Sequence, residues 1–118
     1  MFFVTTDVAA PPNTLCCSSL RTPTLSENEA NELAAVMKAL ADPVRLRILS
    51  LVASAGGGEV CACDLPEMVE RSQPTVSHHL ALLVAAGILD REQRGKWAWY
   101  RVRAERLDAL AAVLRSCC

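Results

Sequence analysis

The residues of this chain best equipped for chemistry are its six cysteines, which fall in three close pairs: Cys16-Cys17, Cys61-Ala62-Cys63 and Cys117-Cys118. A lone cysteine reads as a small buried apolar residue. Three doublets with polar or terminal neighbours point instead to capture of a soft metal or metalloid ion, or to redox sensing. If Glu59 to Cys63 is extended, Cys61 and Cys63 lie on one side of the chain, because side chains alternate with a period of two. Cys63 directly precedes Asp64-Leu65-Pro66-Glu67, which reads as a capped helix start with Glu67 at the third position. The positive end of that helix favours a Cys63 thiolate. Cys117 and Cys118 follow the last expected helix; they are read as a second metal site, a ligand supplied in trans, or nothing.

A second constellation runs from Arg71 to Tyr100. Ser72 is a good N-cap, and Pro74 falls near the first turn, where its missing N–H costs nothing. Val76, Leu80 and Leu83 repeat at helical spacing and predict one buried stripe. His78 then points almost directly away from it, Thr75, Ala81 and Leu82 flank the outer face, and His79 lies nearer the core. Neighbours on a helix diverge by about 100°, so the two histidines do not easily share an ion. Gly87 ends the helix. Ile88–Glu92 and Trp97–Val102 predict two strands joined by Gln93-Arg94-Gly95-Lys96, with Tyr100 inside and Trp97 and Trp99 partly exposed. A helix exposing small polar groups, followed by a ribbon with a basic tip, suits a DNA duplex. The candidate contacts are Ser72, Gln73, Thr75, Ser77 and His78 on base edges or phosphates, and Arg94 and Lys96 on phosphate.

The formal net charge of −1 argues against a nucleic-acid partner until it is divided by region. Residues 71–103 carry six Lys/Arg against two acids. That local excess is what phosphate would feel.

The elements that must position these residues follow from the rest of the chain. At 118 residues it suggests one domain with a modest core, and its apolar residues are mostly Leu, Val and Ala, which favours helices. Residues 1–24, with Pro11, Pro12, Asn13 and Pro23, read as a flexible N-terminal arm carrying one cysteine pair. Residues 25–118 read as a DNA-binding and dimerisation domain. Ser26 with Glu29 forms a capping box before a helix to about Leu40, with Leu33, Met37 and Leu40 on one stripe and Val36 beside it. Asp42 and Pro43 restart the chain as a second helix, Val44–Ala53. Gly56–Gly58 is a loop. A short helix to about Arg71 and the helix from Thr75 make a helix-turn-helix. Ala104–Arg115 forms a last helix, with Leu107, Leu110 and Leu114 in line. The expected fold is mainly α with a small β-hairpin, in the order α-α-α-α-β-β-α. The apolar first and last helices are expected to build a two-fold homodimer, because so small a core has little room for both.

A-L-A-D-P-V-R-L-R-I-L, E-V-C-A-C-D-L, S-Q-P-T-V-S-H-H-L-A-L-L-V-A-A-G-I-L and G-K-W-A-W-Y together resemble the ArsR/SmtB family of metal-sensing repressors, over residues 26–115. The resemblance implies a dimeric winged helix that represses its own operon until an ion binds. In the nearest relatives the ion is arsenite or antimonite, and in others cadmium, lead or zinc. Arsenic sensors resembling E-L-C-V-C-D-L-C close their site with a third local cysteine. Here that position is Pro66 or Glu67, so the local triad is broken. Cadmium/lead sensors of the family join an N-terminal arm to a C-x-C, and some arsenic sensors use a Cys-Cys pair on the arm. By this pattern the metal ligands are Cys61 and Cys63 with Cys16 or Cys17. Three sulfurs suit As(III) or Sb(III), and four suit Cd(II), Pb(II) or Zn(II).

Two other functions compete. A thiol-redox or persulfide sensor could use the same cysteine pairs as oxidisable switches. An enzyme is disfavoured, because the chain offers no cofactor loop and no catalytic acid/base cluster. No apolar run is long enough to span a bilayer, and the N-terminus makes a poor signal peptide, so a cytoplasmic location is expected.

Overall fold

The computed structural model describes residues 24–115. The expected arm, with Cys16 and Cys17, and the terminal pair Cys117-Cys118 lie outside these residues.

Among the described residues five α-helices and three strands follow in the order α1 (Glu27–Leu40), α2 (Pro43–Ser54), β1 (Glu59–Cys61), α3 (Leu65–Val69), α4 (Gln73–Ala85), β2 (Leu89–Arg94), β3 (Trp97–Val102) and α5 (Ala104–Arg115), with a 3-10 turn at Gly56–Gly58 before β1. Local chemistry sets most of the boundaries. The Ser26 hydroxyl accepts from the Glu29 N–H at 3.1 Å and the Glu29 carboxylate accepts from the Ser26 N–H at 2.9 Å, which closes the expected capping box. Asp42 caps α2 by accepting from the N–H groups of Val44 and Arg45 at 3.0 and 3.1 Å. These bonds hold its carboxyl below the usual range, the one from Arg45 contributing most. Ser72 caps α4, with Pro74 in its first turn. At the other end of α4, Gly87 takes φ +78, its N–H donates to the Val84 carbonyl, and the Ile88 N–H donates to the Leu83 carbonyl. That pair of bonds needs a left-handed residue, and glycine adopts one without steric cost.

Helix α2 is the hub. Ile48 and Val52 are wholly buried and join Leu65 and Val69 of α3, Val76, Leu80 and Leu83 of α4, Ile88 and Leu89, and Tyr100 in one apolar cluster. The stripe expected on α4 is the buried one, and Tyr100 is inside as expected. Arg47 reaches from α2 to the carbonyls of Met68 and Val69, completing the last turn of α3.

Four expectations are corrected. The sheet has three strands in the order β1-β3-β2, because Glu59–Cys61 pairs antiparallel with Trp99–Arg101. The two-stranded ribbon was therefore one strand short; β3 has a second free edge, and β1 satisfies its backbone groups. The strands β2 and β3 extend through Arg94 and from Trp97, so Gly95 and Lys96 alone make the turn, with Gly95 at φ +64. Asp64 does not cap α3: its backbone is helical, at φ −92 and ψ −22, and its side chain makes no capping bond. The inward face of α1 centres on Val36 and Ala39, and Met37 is 41% exposed.

Candidate functional site

Helices α3 and α4 are joined by a tight turn in which Glu70 sits at φ +57 and the Arg71 N–H donates to the Pro66 carbonyl. With its apolar stripe buried, α4 turns Gln73, Thr75, Ser77 and His78 to the outside, all of them exposed. His79 is partly buried, with its ring 5.8 Å from that of His78. The two histidines therefore divide as their angular spacing requires. Ser72 is exposed, but its hydroxyl already serves the Thr75 N–H at 3.4 Å and donates to Thr75 Oγ1 at 3.0 Å. Gln73, Ser77 and His78 are thus better placed than Ser72 or Thr75 to offer a new hydrogen bond outward.

The wing separates its two candidate cations. Lys96 stands exposed at the turn. Arg94 lies back against the sheet: its guanidinium forks onto Glu59 at 2.8 and 2.9 Å, touches Glu92 at 2.8 Å, and rests 5.0 Å above the Trp99 ring. Arg101 adds a third bond to Glu59 at 2.9 Å. These donors, Arg94 first and Arg101 second, hold the Glu59 carboxyl down at about 2. Of the two residues expected on phosphate, Lys96 is exposed, and the Arg94 charge is met within the protein by two carboxylates. Sequence spacing did not bring Glu59 to this place; the pairing of β1 with β3 does.

The cysteine turn lies between these two parts. The strand ends at Cys61, and residues 62–64 form a turn, so the extended run expected to Cys63 is not formed. Cys61 is buried at 3% exposure, whereas Cys63 is exposed. The turn nevertheless pairs the two cysteines as a disulfide, with the Cα atoms 5.2 Å apart. The Cys63 N–H donates to Cys61 Sγ at 3.2 Å, and the Asp64 N–H donates to the Cys61 carbonyl at 3.1 Å. On the other flank the Ala62 N–H donates to the Ala98 carbonyl of β3 at 2.8 Å. Asp64 Oδ1 lies 3.9 Å from Cys63 Sγ, but among the described residues no group of three histidines, cysteines or carboxylates is placed to hold a metal. The favourable dipole expected for Cys63 is small, since α3 has only five residues.

The first and last helices leave an apolar gap. A groove of about 260 Å³ runs between them, lined by Leu25, Leu33, Val36, Leu110 and Val113 with Glu29, Glu32 and Arg106 at its rim. No helix among the described residues is long and apolar enough to cross a membrane.

Comparison with known proteins places this arrangement. Residues 42–91, from the α2 cap into β2, match the family model described as bacterial regulatory protein, arsR family. The arsenic resistance transcriptional regulator ArsR1 of Pseudomonas putida is 42% identical over 80 residues, which is 68% of this chain and 61% of that regulator. The arsenical resistance operon repressor of Staphylococcus xylosus is 43% identical over 65% of this chain and 71% of its own length. A homologue of the cadmium resistance regulatory protein CadC from Staphylococcus aureus is 35% identical over 73% of this chain and 69% of its own. Among solved structures, the homodimeric winged helix-turn-helix DNA-binding domain of a possible ArsR-family regulator from Mycobacterium bovis superposes with a TM-score of 0.61 at 29% identity, covering 76% of this chain and 83% of that one. The helix-turn-helix, the wing and the sequence matches agree, and the chain belongs to the ArsR family of winged helix-turn-helix transcriptional regulators.

Proposed function

We propose that the chain is a homodimeric repressor that holds operator DNA through α4 and the wing, and lets go when As(III) or Sb(III) is captured by cysteine thiolates. The observation that carries this reading is the closeness of Cys61 and Cys63, with Cα atoms 5.2 Å apart, at the turn between wing and helix-turn-helix, where their reduced thiolates face one ion. Two adjacent soft donors fit a soft, thiophilic ion. They supply two of its ligands and Cys16 or Cys17 the third; the arsenical resistance relatives support the choice of ion.

DNA is read by Gln73, Ser77 and His78, while Lys96 meets phosphate. Release follows from position. The cysteine turn is hydrogen-bonded to β3 on one side and opens α3 on the other. Leu65 and Val69 of α3 pack with the buried stripe of α4. Closing three thiolates around an ion therefore pulls on both DNA-binding parts at once. The shift can be no larger than the difference in ion affinity between the two states.

The arm's cysteines join at an entropic cost that metal–sulfur bonds offset. A fourth sulfur would favour Cd(II), Pb(II) or Zn(II), a reading supported by the cadmium-resistance relative. The sulfur contact also suits a redox switch, in which Cys61 and Cys63 give two protons and two electrons to a peroxide and become a disulfide. The test is to titrate arsenite, antimonite, cadmium, zinc and peroxide separately into the protein–DNA complex. Replacing Cys61 and Cys63 with Ser should keep DNA binding and abolish release by arsenite, whereas replacing Cys117 and Cys118 should leave release intact. A Cys61/Cys63 variant that still responds to arsenite removes this site from the mechanism.

A further inference from the structure

One partly buried polar junction joins three helices. Arg45, in the first turn of α2, donates from Nε to the Ala39 carbonyl at 2.6 Å and from one terminal nitrogen to the Lys38 carbonyl at 3.4 Å. Both carbonyls belong to the last turn of α1, where a helix has no donors of its own. The other terminal nitrogen meets His79 Nδ1, on α4, at 3.1 Å. A guanidinium can only donate, so Nδ1 is the accepting nitrogen and Nε2 carries the proton. Nε2 faces Asp42 Oδ2 at 4.0 Å, the same oxygen that caps α2. One arginine and one histidine thus tie the end of α1 and the start of α2 to the middle of α4.

Apolar packing and hydrogen bonding constrain α4 differently. Val76, Leu80 and Leu83 hold the helix against the core and choose which face turns in, with the tolerance that side-chain packing allows. The Arg45–His79 bond is directional. It adds a directional restraint to the roll that the buried stripe already sets, and roll decides where Gln73, Ser77 and the neighbouring His78 point. Arg45 also ends α1, so a movement of α1 reaches α4 through the same guanidinium.

We infer that Arg45 and His79 are positioning residues for DNA reading: they restrain the roll of α4 and link it to α1. The inference rests on the DNA-reading role proposed above. Three variants test it: His79→Leu removes the acceptor, His79→Asn keeps one near the position of Nδ1, and Arg45→Met removes the donor.

Residual dipolar couplings of the α4 amides in the DNA-free protein should change in His79→Leu while the melting temperature stays within a few degrees, and should return in His79→Asn. On a duplex enriched from a random pool by the wild-type protein, His79→Leu should bind about tenfold more weakly. A scrambled duplex of the same composition should bind unchanged, and Arg45→Met/His79→Leu should be no worse than either single variant. Unchanged couplings, no rescue by Asn, or equal losses on both duplexes with a fallen melting temperature would overturn the assignment. If the wild-type protein enriches no sequence, the DNA-reading proposal falls, and the couplings of the free protein still decide whether the junction restrains α4.

Discussion

The helix-turn-helix and the pair of outer helices are built to different degrees of completion. In α3 and α4, Leu65, Val69, Val76, Leu80 and Leu83 are all buried to 1% exposure or less. In α1 only Val36 and Ala39 are buried, Met37 is 41% exposed, and Leu114 of α5 is 52% exposed. The first unit buries a continuous stripe within one protomer, although Met68 and Leu82, at 44% and 38%, are as exposed as Met37. The second presents apolar side chains and an open groove, as expected of a surface that a second copy completes. The proposed homodimer, reading two half-sites, would need this division, since the reading unit must be rigid while the contact between protomers sets its spacing.

The largest effect should come from the buried stripe. Leu80→Ala should lower stability by about 2–5 kcal/mol, read from chemical denaturation, because it opens a cavity where α4 meets α2. Substitution of Met37 or Leu114 by Glu should cost the protomer no more than about 0.5 kcal/mol, as usual for exposed positions. The same changes should dissociate the dimer at micromolar concentration in sedimentation. If Leu114→Glu destabilises as much as Leu80→Ala, the outer helices belong to the core and the contrast fails.

The smallest effect concerns how the wing is clamped to β1 within the sheet. Glu59 falls from an ordinary 4.5 to about 2 on folding, through Arg94 and then Arg101. Between those values the unfolded chain binds more protons, so stability rises with pH across this window. The contribution is complete above about 4.5 and is lost as pH falls towards 2. It is modest, since Arg94 is 37% exposed and water screens the pair. Urea midpoints of wild type and Glu59→Gln should differ at neutral pH and converge under acid. Parallel curves would show that the clamp contributes nothing.

Some of the structure was legible because its causes are local. The capping box of Ser26 and Glu29, the Asp42-Pro43 restart, the stripe of α4 and the glycine stop at Gly87 each depend on residues within one or two turns. What failed depended on distant partners. The E-V-C run is only three residues long, and its strand exists because β3 offers an edge. The Gly56–Gly58 triplet before it and the β-branched Val60 within it were the available signals. Asp64 looked like a cap by type, yet the turn that joins the two sulfurs holds its backbone in a helical conformation.

By itself the sequence determined the helix boundaries, the outward residues of α4 and the presence of soft donors in pairs, because side-chain periodicity and capping act over a few residues. Tertiary structure alone decided which charges remain available and which side chains meet. It took Arg94 out of the basic tip by bringing Glu59 to it across 35 residues, left Lys96 exposed, and set Arg45 against His79 across 34. Such pairings arise when strands and helices dock, and no spacing in the chain encodes them directly.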